Sequence, residues 1–280
     1  MRENQFMRKI LFGLSILILT SCGNSNNKSD QNSIVDQNEF VWDFSQPKKY
    51  IYSYWQEVDG KNNMDKNMPA DKSKIIGNGY LTVRVKENNL ADLSLTDLKT
   101  DMILFDDNGK AKDTMSDTAP ASVIQNMKPN STFGKDNHNF VFDLIFPLPT
   151  KKLQIGEKDK IPMEIPFNAN GSRLSVKGFN TLEFVGMEKF EGKEVAILEG
   201  NIDIFDLEIP EELNGVYKST SIGKGTYYFD LENQYFVGAD IQLTMKAIID
   251  TETDNKDDIG VYANMQSDNN FKVRLEKIEK

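Results

Sequence analysis

Hydrophobic positions fall into two regimes along this chain. Ile10 to Leu19 is one unbroken apolar run, with Arg8 and Lys9 before it and Cys22 just after it. From Phe40 onward the period becomes two. Tyr80 to Lys86 puts Leu81, Val83 and Val85 on one face and Tyr80, Thr82, Arg84 and Lys86 on the other, as a half-buried strand does. Tyr50 to Trp55 is dense in strand formers. Asn139 to Phe146 reads as a strand with Phe140, Phe142, Leu144 and Phe146 on one face. Further strands are predicted at Arg173 to Lys177, Leu182 to Met187, Lys193 to Phe205 with a bend at Gly200, Thr226 to Leu231, Tyr235 to Ile249, Ile259 to Met265 and Phe271 to Ile278. Turn chemistry separates them at Asp107-Asn108-Gly109, Glu191-Gly192, Glu232-Asn233 and Ser267-Asp268-Asn269. No window reads as a long amphipathic helix; short helices are expected near Ala121 to Met127 and Pro210 to Leu213. The class is mainly β and antiparallel, because hairpin-length gaps favour that pairing.

Two stretches look alike. Gly77-Asn78-Gly79 opens a strand followed by Glu87-Asn88-Asn89, and Gly223-Lys224-Gly225 opens one followed by Glu232-Asn233-Gln234. An internal duplication and two ordinary hairpins with shared turn preferences both account for this. The first gives two similar β-rich halves, 40–149 and 150–280, meeting near Pro147-Leu148-Pro149.

The run from Ile10 to Leu19 is too short to span a bilayer, which needs about 20 apolar residues, and fits a cleaved signal peptide over residues 1–21. Met7 serves as a start as well as Met1 does. Leu19-Thr20-Ser21-Cys22 resembles the lipobox of bacterial lipoproteins: an aliphatic residue, two small residues, then the cysteine. The resemblance implies diacylglycerol on the Cys22 thiol, cleavage before Cys22 and acylation of its new amino group. More than one acyl chain gives stable anchoring. Residues 22–39, rich in Asn, Ser, Gln and Asp, cannot bury a face; Gly23 to Asn38 forms a tether reaching roughly 20–25 Å. An Asp after the cysteine would resemble an inner-membrane retention signal; Gly23 stands there instead, which places the protein in the cell envelope, on the outer membrane and facing the periplasm.

Charge narrows the partners. The chain carries a formal charge of −10, and loss of residues 1–21 removes Arg2, Arg8, Lys9 and Glu3, leaving −12. Such a surface opposes nucleic acid and anionic headgroups, so membrane attachment falls to the lipid on Cys22. Cys22 is the only cysteine, so a packed core and no intrachain disulfide must hold the fold.

The second half is similar to a set of bacterial envelope lipoproteins through Phe146-Pro147-Leu148-Pro149, Ile155-Gly156-Glu157, Phe190-Glu191-Gly192-Lys193-Glu194-Val195-Ala196, Gly223-Lys224-Gly225 and Phe229-Asp230-Leu231. It resembles the curved, half-barrel sheets of the lipoprotein carrier and receptor (Lol) superfamily. The Trp expected shortly after Ile155-Gly156 is missing; Ile161 and Pro162 stand near that place. No functional residue carries over.

Catalytic residue types are scarce. His138 is the only histidine, which excludes His-rich metal sites; a triad would need His138 with Ser131, and its polar loop is no nucleophile elbow. Two acidic loops have calcium-like spacing, Asp106-Asp107-Asn108-Gly109 and Asp250 through Glu252, Asp254, Asp257 and Asp258. In the second, Asn255 replaces the turn glycine and Val261 the bidentate glutamate, so both read as turns. No cofactor or metal site is implied. Tyr50, Tyr52, Tyr54 and Trp55 serve either as a sugar platform or as core. Two readings follow. One is a non-enzymatic lipoprotein that holds a hydrophobic ligand or docks an envelope partner of unknown identity. The other is an envelope glycan-binding protein or glycan hydrolase with paired carboxylates.

Overall fold

The computed structural model describes residues 39–133, 140–169, 172–209, 215–251 and 262–280. They form one curved, open, antiparallel sheet of 11 strands with one short helix, the mainly β, antiparallel class expected from the period of two, with the curvature that the resemblance to the Lol superfamily implied. The strands are β1 (Lys49–Asn63), β2 (Asp71–Val85), β3 (Ala91–Phe105), β4 (Ala111–Thr118), β5 (Ser122–Met127), β6 (Lys158–Ala169), β7 (Ser172–Phe190), β8 (Lys193–Glu208), β9 (Val216–Asp230), β10 (Tyr235–Asp250) and β11 (Tyr262–Glu279). Their order is β4-β3-β2-β1-β11-β10-β9-β8-β7-β6, with β5 pairing on β3 beside the end of β4. The run is a meander throughout except at its middle, where β1 and β11 join the strands of residues 40–149 to those of 150–280.

Several elements differ from the sequence reading. Phe140–Ile145 is a helix, α1, not a strand. Phe140, Val141, Phe142, Leu144 and Ile145 are all buried, so both faces of a strand there would have been apolar. A helix satisfies its backbone internally while it is buried on nearly every side. Ala121 to Met127 is the reverse case: Ser122–Met127 is strand β5, in which Ile124 lies opposite Leu93 and Met127 opposite Ala91. The expected helix at Pro210 to Leu213 lies outside the described residues. Ser267-Asp268-Asn269 is no turn. It runs inside β11, where the Asn269 amide donates to the Leu243 carbonyl at 3.0 Å and Asp268 accepts from the Thr244 hydroxyl at 2.6 Å. β6 was not foreseen because Pro162 and Pro166 break its pattern; as an edge strand it tolerates them.

Curvature arises from bulges and inward-facing glycines. A Cβ at Gly79 would come within 3.1 Å of Leu98 Cα, beside the bulge between Asn78 and Tyr80. At Gly200 it would meet Asn180 Oδ1 at 2.5 Å and the Tyr227 ring at 2.9 Å. Gly200 lies inside β8, where it makes room for a tyrosine ring on the sheet.

The inner face carries the core, and one end of it is plugged. Phe40, Trp42 and Phe44 alternate into it from the segment before β1, all nearly fully buried. The Trp42 amide donates to the Pro129 carbonyl at 2.7 Å, and its indole N–H donates to the Ser131 hydroxyl at 2.9 Å. The indole meets Tyr50, Phe146 and Phe236 with centroids 5.4–5.5 Å apart. Phe40 packs on Phe184 and Phe229, and α1 with Phe146 and Leu148 completes the plug.

Candidate ligand-binding concavity

Transverse rows of side chains define the inner face. One row runs across ten strands: Met115, Met102, Ile75, Val58, Asn269, Leu243, Gly223, Ile202, Asn180 and Ile161, each opposite the next. On one side of it lie Tyr54, Phe271, Ile241 and the plugged aromatic core. On the other side, toward the β1–β2 turn, the same inner positions continue through Met245, Ala247 and Ile249 of β10 and Met265 of β11. These four, with Val58, Leu104 and Met115, are only half-buried. The sheet is thus filled at one end and open along β1, β3, β4, β10 and β11 at the other, where its lining is apolar; on β7 and β9 of that end Leu174 and Tyr217 form a small buried cluster with Leu207 and Ile249.

Four methionines, Met102, Met115, Met245 and Met265, stand on this wall. Unbranched, polarisable thioethers adapt to irregular apolar shapes and are over-used at promiscuous binding surfaces. Hydroxyls and amides are interspersed: Ser73, Ser219, Ser221, Ser267 and Asn269. From this row to the rim, the inner positions of β1, β2, β3, β8, β9, β10 and β11 hold no lysine or arginine. The tyrosines beside them are neutral, because burial pushes the Tyr54 and Tyr227 hydroxyls above the usual phenol range. These inner positions carry no cation and are apolar and lightly hydroxylated, with Asp71 and Asp113 at the rim.

The outer face is different. A shallow depression of about 430 Å³ lies there over β8 to β11, between Asn201, Lys224, Gln242, Thr244 and Asp268, polar and open to solvent. Nearby, Arg274 sits against the stacked rings of Phe190 and Tyr228.

The residues singled out in the sequence scatter. Cys22 and His138 lie outside the described residues, as do Glu252 to Asp258. Ser131 is the acceptor for Trp42 in the plug. Tyr50, Tyr52 and Tyr54 are buried on the inner face, and Trp55 on the outer face lies under the Lys272 ammonium, so this strand offers no sugar platform. Asp106 folds over its own turn and accepts from the Asn108 and Lys110 amides. Asp250 pairs with Lys66 at 2.7 Å. Among the described residues, no group of three or more His, Cys, Asp or Glu side chains could hold a metal ion. The methionine wall was missed, although the alternation Met245-Ala247-Ile249 and Ala263-Met265 carried its signal.

No protein-family model matches the chain, and no curated protein sequence does. Among solved structures it is similar to lipovitellin, in a structure of that protein's lipid–protein interactions, with 13% identity and a TM-score of 0.40. That match covers 84% of this chain and 26% of the lipovitellin chain. It is also similar to a DUF1329 family protein from Desulfovibrio piger, with 10% identity and a TM-score of 0.13 over 80% of this chain and 85% of the other. At these scores neither likeness says what this chain binds.

Proposed function

We propose that this protein is a lipid-anchored lipoprotein of the bacterial envelope that holds a hydrophobic ligand in the open end of its curved sheet. One observation carries the ligand reading: the apolar inner positions of Val58, Met115, Met245, Ala247 and Met265 stay half-buried beyond the aromatic core that fills the other end of the same face. Apolar surface left on a concave wall gains by burying an acyl chain, at about 25 cal/mol per Å². The role is binding and not catalysis. The anchor rests on Leu19-Thr20-Ser21-Cys22, and the acidic chain, at −10 formal charge, favours attachment through lipid over attachment through a basic patch. An outer-membrane site facing the periplasm follows from Gly23 after the cysteine.

Two measurements test this reading. Native mass spectrometry of the chain purified with Cys22→Ser from a bacterial host should show a non-covalent lipid adduct that leaves on collisional activation; a bare polypeptide would reject the carrier role. Membrane fractionation should find the native chain in the membrane and Cys22→Ser in the soluble fraction. A variant that stayed membrane-bound would remove the anchor.

A further inference from the structure

Charge divides the two faces of the sheet at its open end. From the row of Met102 to the rim, β1, β2, β9 and β10 carry Lys61, Lys72, Lys74, Lys218 and Lys246, and all of them fall on outer-face positions. The inner positions of the same strands, and of β3, β8 and β11, carry no cation. Two inner positions at the mouth hold carboxylates instead. Asp71 lies opposite Asn62 and Asp113 opposite Leu104, and both are exposed. Lys66 of the β1–β2 turn is paired with Asp250 at 2.7 Å. Deeper in, the Asn180 amide donates to the Tyr227 hydroxyl at 3.2 Å, and both residues are wholly buried, so this polar pair is closed off from a head group.

We propose that the concavity takes a long-chain amphiphile tail first, with the head left at the mouth, and that it selects heads without negative charge. This rests on the carrier reading above and names its ligand class. Length fits the tail. Six positions separate Leu243 from Ile249 on β10 and Asn269 from Ala263 on β11, about 20 Å at about 3.4 Å each. An acyl chain in one leaflet spans about 15 Å, half of the bilayer's apolar core. Met245, Ala247 and Met265 stand half-buried along that path. Charge selects the head. A carboxylate or phosphate carried inward loses its water and meets no cation, which is strongly unfavourable. The same group left at the mouth meets Asp71 and Asp113. An alcohol or ester avoids both costs, and an ammonium is attracted by the two carboxylates.

The purified full chain, stripped of lipid and loaded with the fluorescent hydrocarbon diphenylhexatriene, is titrated with oleate, oleyl alcohol and oleylamine, which share one tail and differ in the charge of the head. Oleyl alcohol and oleylamine should each displace the probe at concentrations at least about 10-fold below that of oleate, a difference of about 1.4 kcal/mol. Asp71→Lys combined with Asp113→Lys should lower the oleate midpoint about 10-fold, raise that of oleylamine and leave oleyl alcohol unchanged. Both positions are exposed, so this variant should unfold at the native urea midpoint. Asp203→Lys combined with Asp206→Lys makes the same change of charge at exposed outer positions of β8 and should leave all three ligands as in the native chain. Equal midpoints for the three ligands, an oleate midpoint that does not move in the mouth variant, or an equal oleate gain in the outer-face variant would each overturn the charge selection while leaving the carrier. Failure of the native chain to take up diphenylhexatriene or any of the three ligands would overturn both.

Discussion

Arg274 Nη2 stands 2.7 Å from each carboxylate oxygen of Asp240. The same guanidinium donates through Nη1 to the Ala239 and Val273 carbonyls at 2.9 and 2.8 Å. It also lies 5.2 Å from the centre of the Phe190 ring, which stacks on Tyr228 at 3.7 Å. One side chain thereby ties β11 to β10 and to the β7–β8 turn on the outer face. Lysine has no planar fork with which to copy this set. Arg274→Lys should destabilise the fold by about 1–3 kcal/mol, the range for hydrogen bonds to charged groups, read as a lower urea midpoint. Probe uptake by the concavity on the opposite face should not change.

Buried and half-buried tyrosines set the alkaline limit. Burial raises the pKa of Tyr50, Tyr52, Tyr54, Tyr227, Tyr228 and Tyr235 above that of a free phenol. In the unfolded chain these groups ionise near pH 10, while in the folded chain they keep their protons beyond it. Above that pH the unfolded state binds fewer protons, so stability is full below about pH 10 and falls as pH rises through the raised values. Urea midpoints should be flat from pH 7 to about 9 and drop steeply above 10. The tyrosinate absorbance of these six residues, the larger part of the nine in the chain, should rise in step with unfolding.

Trp42 holds the plug in place. Trp42 is 1% exposed and its indole lies against four other aromatics, Phe44, Tyr50, Phe146 and Phe236. Trp42→Ala should cost about 3–5 kcal/mol. Trp42→Phe keeps most of the buried area and loses the bond to Ser131, so a smaller cost of about 1–2 kcal/mol is expected. Equilibrium denaturation of the two variants against the native chain measures both.

Much of this architecture was legible in the sequence, because period two and turn residues are local signals. Leu81, Val83 and Val85 point inward as alternation requires, and Glu191-Gly192 turns with both residues at positive φ. What escaped depends on distant partners. Ser267-Asp268-Asn269 has turn composition, yet Leu243 and Thr244 on β10 draw it into a strand. Phe140 to Ile145 has strand composition, yet it is buried on nearly every side, and a helix, not another strand, fills the end of the sheet. The concavity was the least visible part. Methionine at Met245 and Met265 reads as ordinary core until the row it shares is seen to run past the plug.

Gly225 shows how tightly the inner polar group is built. A Cβ there would lie 2.5 Å from Tyr227 Cζ, and the ring is fully buried. Gly225→Ala must displace it and so break its bond to Asn180; overpacking of this kind costs about 1–3 kcal/mol. Tyr227→Leu in the same chain removes the clash. The double variant should therefore be more stable than the sum of the two single effects predicts, a coupling that a double-mutant cycle in urea reads directly.

Met265 separates binding from folding. It faces the open end of the sheet opposite Asn62 and Ala247 and is half-buried, so a carboxylate at this position reaches water in the empty protein. Met265→Glu should shift the urea midpoint by no more than about 1 kcal/mol, within the usual range for partly exposed positions. With an acyl chain in place the same carboxylate would be covered by hydrocarbon and lose its hydration. Uptake of diphenylhexatriene should therefore fall at least about 10-fold, the effect of 1.4 kcal/mol. Gln242→Glu adds the same charge to the outer face of β10 and should leave uptake unchanged. Equal losses from both variants would mean that net charge, and not the methionine wall, governs the binding.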